Sequence, residues 1–114
     1  MVVFEEHGDV LVISLMGEMT ISRISLFKDK IDTFKIDRFH KIIVNLEKLS
    51  FIDSSGLGTL VLLIKEVKTN FGTVVLAAPQ SQVSKLLDMV KINKYVEIKE
   101  SVESAMGHLQ KESE

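Results

Sequence analysis

Apolar residues follow two alternating patterns along this 114-residue chain. Short runs rich in β-branched residues are typical of buried strands, and apolar residues spaced three and four apart are typical of amphipathic helices. The turn signal His7-Gly8-Asp9 separates the first two runs, which predicts a hairpin. Residues 17–20 are expected to break the second strand. The predicted strands are residues 2–4, 10–15, 41–46 and 73–77, and a short edge strand at 95–98.

Four helical patterns alternate with these strands. Thr20 or Ser22 is the predicted cap of the first helix, Pro79 opens the third, and Ser101 caps the last. Gly72 stands where the second helix is expected to end. The apolar helix faces comprise Ile24, Phe27, Ile31 and Phe34; Leu57, Leu60, Val61, Ile64, Val67 and Phe71; Val83, Leu86 and Leu87; and Val102, Ala105, Met106 and Leu109. Strands alternating with helices predict an α/β domain whose mixed sheet is covered by helices on at least one face.

Composition narrows the class of protein. Hydrophobic residues make up 46% of the chain and charged residues 26%, which is ordinary for a globular domain. The absence of cysteine excludes disulfides and thiolate metal sites. A net charge of −2 without a basic block argues against nucleic-acid binding. The chain has no recognisable signal peptide and no apolar run long enough to span a bilayer, so we expect a cytoplasmic protein.

Length sets the expected domain organisation. A chain of 114 residues predicts one domain, which we place at residues 1–110. Residues 111–114 form an acidic tail that is expected to fray.

The most informative segment reads Phe51-Ile52-Asp53-Ser54-Ser55-Gly56-Leu57-Gly58 and follows the predicted central strand. It places two adjacent hydroxyl groups where a strand gives way to a helix. One interpretation is structural: Ser54 or Ser55 caps the helix, Asp53 is a second capping group, and the glycines permit a tight turn. The other interpretation is functional, with a serine that accepts a phosphate or contacts a partner.

The functional interpretation makes physical sense at this position. A phosphate adds about −1.5 to −2 charges, which the N-terminal amides and dipole of a helix tolerate without unfolding. Asp53 is then placed to orient the hydroxyl or to contact a cation on the partner. A modification that changes the surface and leaves the fold intact is a suitable switch.

Leu62 departs from the apolar pattern of the second helix. At 100° per residue it points away from the apolar face, on the side that also carries Ser55, Gly58, Thr59, Lys65 and Glu66. Surface leucines are common, so this residue is either an ordinary exposed leucine or an apolar anchor for a partner.

Enzymatic and metal chemistries find little support in the sequence. A serine hydrolase needs a base beside its nucleophile, and His7, His40 and His108 are each most simply solvated. The chain has neither a Gly-x-Ser-x-Gly elbow nor a phosphate-binding Gly-Lys-Ser/Thr loop. Its acidic residues are scattered, and its methionines are more simply packing groups. We therefore expect no catalytic residue, metal or cofactor.

The run over residues 43–58 closely resembles the bacterial anti-sigma-factor antagonists, the single-domain STAS proteins. The resemblance extends over nearly the whole chain, through Leu15-Met16-Gly17-Glu18, residues 84–89 and residues 101–105. It implies a small mixed sheet of four to five strands, with about four helices packed mainly on one side. It also implies a regulatory protein rather than an enzyme.

The resemblance assigns a role to the serine motif. In such families the position of Ser54 is phosphorylated by a partner kinase that is itself the anti-sigma factor. The unphosphorylated form binds this kinase and frees the sigma factor, and a metal-dependent serine phosphatase resets the switch. The phosphate weakens binding through charge and steric conflict in the interface rather than through refolding. The predicted partner contacts are Asp53, Ser55, Gly56, Gly58, Leu62 and Met19.

Met19 is the one departure from the family pattern in this region. The family commonly carries an aspartate after the Gly-Glu pair, near the phosphoacceptor loop, so Met19 bears on kinase recognition. Two other classes of binding protein stay open. One is a constitutive STAS scaffold in a signalling assembly, and the other is a nucleotide- or lipid-sensing module that holds an anion at the start of the second helix. We expect no nucleic-acid or membrane partner, and a monomer or weak dimer.

Overall fold

The computed structural model describes residues 1–112, in which strands and helices alternate as the apolar pattern predicts. Two 3₁₀ turns at Ile36–Arg38 and Ile92–Lys94 complete the regular structure. The strands are β1 (Val2–His7), β2 (Val10–Leu15), β3 (Gly17–Met19), β4 (Lys41–Asn45), β5 (Leu49–Ile52), β6 (Thr73–Ala77) and β7 (Glu97–Lys99). The helices are α1 (Ile24–Phe34), α2 (Ser54–Thr69), α3 (Ser81–Met89) and α4 (Val102–Glu112).

Five strands form the main sheet in the order β1-β2-β4-β6-β7. Strands β1 and β2 form the predicted antiparallel hairpin, with Gly8 in the turn at φ 65°. The other neighbours are parallel, with Ile13 opposite Val44 and Val44 opposite Leu76. This order puts β4 in the centre of the sheet, where both of its faces are covered. The predicted mixed sheet is confirmed.

Alternate residues of the central strands point to opposite faces of the sheet. Ile42 and Val44 belong to the larger core cluster, into which α1, α2 and α3 pack. Ile43 lies in a smaller cluster on the opposite face, against Ala105 and Leu109 of α4. Three of the described helices therefore cover one face and α4 covers the other, which agrees with packing mainly on one side.

The small second sheet was not predicted. Strand β3 pairs in parallel with β5, so that Glu18 lies opposite Phe51 and Met19 opposite Ile52. Gly17, at φ 88°, turns the chain out of β2 and into β3 after one intervening residue. The expected break at residues 17–20 is therefore a change of sheet. Neither strand contains the run of β-branched residues on which the strand predictions rest.

The predicted cap of α1 is wrong. The residue in the N-cap position is Arg23, which makes no side-chain capping bond. The hydroxyls of Thr20 and Ser22 lie 3.2 Å apart and bond to each other. Main-chain groups close the turn instead, because the N–H of Ile24 donates to the carbonyl of Thr20 at 2.9 Å.

The end of α2 also differs from the prediction. Phe71, expected on the apolar face, follows the helix in a left-handed conformation at φ 62° and is 93% exposed. Leu63 is buried in its place in the core. Gly72 does follow the helix end, but for a different reason, since a Cβ there would lie 2.8 Å from Val67 Cγ1. The close approach of the chain to α2, rather than a positive φ, favours glycine.

The later elements are close to their predicted positions. Pro79 precedes α3, with Gln80 as the N-cap residue, and β7 begins two residues after the start of the predicted edge strand. The hydroxyl of Ser101 accepts the N–H of Ser104 at 3.0 Å, which confirms the predicted cap of α4. Helix α4 continues through Glu112, past the boundary expected at residue 110. Residues 113 and 114 lie outside the described part of the chain. Within residues 1–112, no helix is both long and apolar enough to cross a membrane.

Candidate functional site

The serine motif occupies the junction between β5 and α2. Asp53 lies between Ile52, the last residue of β5, and Ser54, the first residue of α2. Its Oδ1 accepts the N–H of Gly56 at 2.8 Å, which makes Asp53 the N-cap residue of the helix. The prediction that Ser54 or Ser55 caps α2 is wrong, and the prediction of Asp53 as a capping group is confirmed.

A second bond ties Asp53 to the loop between β3 and α1. Its Oδ2 accepts the N–H of Ile21 at 3.0 Å, and its own N–H donates to the carbonyl of Met19 at 3.2 Å. The N–H of Gly56 and then that of Ile21 lower the pKa of the Asp53 carboxyl, because both bonds favour the charged form. A carboxylate that is ionised at neutral pH therefore joins the loop to the start of α2.

The two serines differ in exposure. Ser54 is exposed in the first turn of α2, whereas Ser55 is half-buried. The carbonyl of Ser55 accepts the hydroxyl of Thr59 at 3.0 Å. Thr59 is itself buried, although the helical pattern placed it on the polar side with Leu62. Of the two hydroxyl-bearing residues, Ser54 is the one that faces solvent at the start of the helix.

Two of the predicted partner contacts lie beneath this surface. The side chain of Met19 is 1% exposed and belongs to the main core cluster. Gly56 is also buried, and a Cβ on it would overlap the Met19 carbonyl oxygen. Both residues are therefore buried beneath the junction, and neither has a side chain that a partner could contact.

Gly58 and Leu62 lie on the exposed side of α2. Leu62 is 58% exposed, as its position in the helical pattern predicts. Nothing lies within 4 Å of a Cβ built on Gly58, whose φ is not positive. The predicted role of the two glycines in a tight turn therefore does not hold: Gly56 is required by packing, and Gly58 is not required by the fold.

Ile21 is a further candidate contact that the sequence did not reveal. It is 69% exposed, and its N–H is held by Asp53 next to Ser54. In the sequence, Ile21 is marked only as an apolar residue between Thr20 and Ser22. A short polar loop has no repeating apolar pattern that would predict a role for it. The bond across 32 residues is what places Ile21 at the site.

The histidines lie away from the serine motif. His7 ends β1 and His40 immediately precedes β4, so both lie at the end of the sheet where the parallel strands begin. Ser54 lies toward the opposite end of the sheet, where the parallel strands finish. It follows β5, and β5 pairs with β3, which comes directly after the end of β2. His108 belongs to α4, on the other face of the sheet. This topology gives Ser54 no histidine as a general base.

No group of three or more metal-binding side chains comes together among the residues described. The junction therefore combines an exposed hydroxyl at a helix start with an ionised capping carboxylate. Ile21 and Phe51 are exposed apolar residues beside it, and Leu62 is exposed further along α2. Such a surface can carry a charge and contact another protein.

The chain belongs to the STAS domain family, whose model matches residues 1–105. A curated Thermotoga maritima protein, provisionally named an anti-sigma factor antagonist, is 27% identical over 104 residues, which cover 90% of this chain and 92% of the relative. An anti-sigma F factor antagonist from Paenibacillus polymyxa is 27% identical over 107 residues, which cover 93% of this chain and 92% of that protein.

Solved structures share the fold. A crystal structure of a Thermotoga maritima protein with the same provisional name has a TM-score of 0.88 at 24% identity, covering 96% of this chain and 94% of that one. The Bacillus cell fate determinant SpoIIAA in its phosphorylated form has a TM-score of 0.72 at 25% identity, covering 96% of this chain and 99% of that one. The STAS-like architecture expected from the sequence is confirmed.

Proposed function

We propose that this protein is an anti-sigma-factor antagonist that is switched by phosphorylation of Ser54. The proposal rests on the separate roles of Asp53 and Ser54 at the start of α2. Asp53 caps the helix at 2.8 Å, so the exposed Ser54 hydroxyl is not needed for capping. A phosphate on Ser54 would leave the cap in place and change the surface alone.

The partners follow from the names of the relatives and from the resemblance of the motif. Unphosphorylated protein binds an anti-sigma factor that is also a serine kinase, and this binding releases a sigma factor in the cytoplasm. Phosphorylation of Ser54 by that kinase ends the complex, and a serine phosphatase restores it. The names of the curated relatives, which include an anti-sigma F factor antagonist, support this assignment. On this proposal the chain acts by binding and catalyses nothing itself.

The physical basis of the switch is a charge placed among apolar contacts. Leu62 on α2 and Ile21 in the neighbouring loop are both exposed on segments joined to the junction. A partner that buries these side chains would also bury the Ser54 phosphate, with its charge of about −1.5 to −2. Burying a charge without a matching cation is costly, and the ionised Asp53 beside it adds repulsion.

The test begins with candidate serine kinases from the same genome. The purified protein is incubated with each kinase and ATP, and the phosphate is mapped by mass spectrometry. We expect label on Ser54 that is lost in Ser54→Ala and kept in the matched control Ser55→Ala. Calorimetry should show that Ser54→Glu binds the kinase at least about tenfold more weakly than wild type does.

The stability of the variants keeps this test interpretable. Ser54→Glu places a negative charge at a helix N-terminus, so its free energy of unfolding should equal or slightly exceed that of wild type. Absence of label with every genomic kinase, together with unchanged binding of Ser54→Ala and Ser54→Glu, overturns the switch. If the affinity for the kinase is the same with and without a charge at residue 54, the result instead supports a constitutive STAS scaffold.

A further inference from the structure

The two edges of the main sheet differ in how well they are protected against further pairing. Strand β7 has only three residues, and its Glu97 and Lys99 side chains form an ion pair at 3.6 Å. Short, charged edge strands resist the addition of another strand. Strand β1 is twice as long, and its charged residues are confined to its second half, so Val2, Val3 and Phe4 form an uncharged stretch of edge.

The main-chain groups on the open edge of β1 can be assigned. The N–H of Met16 donates to the carbonyl of Met1 at 2.9 Å, and the nitrogen of Met1 donates to the carbonyl of Met16 at 3.0 Å. In an antiparallel pair such doubly bonded residues alternate with residues that point away from the partner strand. The N–H and C=O groups of Val2, Phe4 and Glu6 therefore point away from β2.

An apolar groove of 640 Å³ lies beside this edge. Val2 and Phe4 line it from β1, and Leu26 and Phe34 line it from α1. Phe4 and Phe34 stack with their ring centroids 4.1 Å apart, and Leu26 is largely exposed. A strand added to β1 would satisfy the outward main-chain groups and place alternate side chains in the groove.

We propose that this edge binds a second copy of the chain, with the two β1 strands antiparallel about a two-fold axis at Phe4. In this register the outward groups of Phe4 face those of the partner's Phe4. The outward groups of Val2 face those of the partner's Glu6, and each pair exchanges both main-chain bonds. On the face that carries the groove, the partner's Phe4 then lies beside Phe4 and the partner's Glu6 lies beside Val2.

Charge disfavours the registers that bring glutamates of the two copies together. β1 is apolar at Val2 and Val3 and acidic at Glu5 and Glu6. The axis at Phe4 sets each glutamate opposite a valine on the other copy. An axis at Glu6, or a parallel in-register pair, would instead set glutamates opposite one another, which destabilises a sheet.

The test uses two variants of residue 6, one that lacks its main-chain donor and one that keeps it. Glu6→Pro removes the outward N–H of residue 6, and an edge strand tolerates proline at such a position. Glu6→Thr removes the same side chain and keeps the N–H. Sedimentation over a range of concentrations should show a dimer for wild type and for Glu6→Thr. For Glu6→Pro the dissociation constant should rise by about tenfold or more, because each dimer loses two bonds.

Hydrogen exchange of the wild-type protein provides a measurement that does not depend on a variant. The amides of Val3 and Glu5 bond to β2 and should be protected at every concentration. The amides of Phe4 and Glu6 should exchange freely in dilute solution and become protected as the concentration rises. The proposal is overturned if the chain stays monomeric or if Glu6→Pro and Glu6→Thr dimerise equally. It is also overturned if hydrogen exchange at Phe4 and Glu6 does not depend on concentration.

Discussion

Asp53 and Ile21, 32 residues apart in the chain, are joined by a 3.0 Å hydrogen bond from the Ile21 N–H to the Asp53 carboxylate. The other oxygen of the same carboxylate caps α2 at the N–H of Gly56. One side chain thus holds both the loop after β3 and the start of the helix. Because Asp53 performs both tasks, the hydroxyl of Ser54 is left for another use.

The bonds of Asp53 predict a dependence of stability on pH. Its pKa is lowered in the folded protein, mainly by the N–H of Gly56, so the folded state favours the ionised form. The resulting stabilisation is complete above the unfolded aspartate pKa of about 3.9 and is lost as the pH falls through the lowered folded value. Urea unfolding between pH 6 and pH 2 should therefore show a decline below about pH 4.

Asp53→Asn isolates this contribution. Asparagine still caps a helix but does not titrate, so the variant should fold at neutral pH and lose less stability on acidification than wild type. Asp9 is the matched control, because its pKa is lowered by Lys41, whose Nζ lies 2.9 Å away. Asp9→Asn should remove a separate part of the decline. An acid decline in Asp53→Asn as large as that of wild type would contradict the assignment.

The two glycines of the motif should respond oppositely to the same substitution. Gly56→Ala forces a Cβ against the Met19 carbonyl and within 2.9 Å of Ile52 Cγ1, so we expect a loss of about 2 kcal/mol or more in the free energy of unfolding. Gly58→Ala meets open space and should stabilise the helix by up to about 1 kcal/mol. Chemical unfolding of both variants under one set of conditions measures the difference.

Gly58→Ala also tests the proposed interface. If a partner approaches α2 closely at Gly58, this variant should bind the anti-sigma factor more weakly although it is more stable than wild type. Equal or tighter binding would remove Gly58 from the set of partner contacts. A stabilised Gly56→Ala would show that β3 does not press on the helix as described.

Leu62 should matter for binding and not for folding. Its side chain is 58% exposed, so Leu62→Ser should change the free energy of unfolding by less than about 0.5 kcal/mol. We expect its affinity for the anti-sigma factor to fall by about tenfold, as for an apolar anchor at an interface. Met89→Ser, an exposed apolar residue of α3, is the control and should bind as wild type does. Similar losses in both variants would argue against a specific anchor at Leu62.

The buried face of α2 differs in part from the face that the apolar spacing predicts. Most of the predicted face packs against the core, including the partly buried Val61, but Phe71 does not. The buried face extends instead to Thr59 and Leu63. The spacing of apolar residues identifies a helix and leaves open which neighbouring elements it packs against. Here Gly56 lies against the main chain of β3, so this side of α2 faces the small sheet.

The sequence by itself determined the order and type of most elements and the position of the serine motif between a strand and a helix. Apolar spacing and turn residues are local signals, so they can be read without the fold. The tertiary structure decided the roles within the motif. Asp53 is the cap, Met19 and Gly56 are buried, and Ile21 reaches the site, because β3 and β5 pair across some thirty residues of intervening chain. Contacts between segments so distant in sequence leave no local pattern from which they could be predicted.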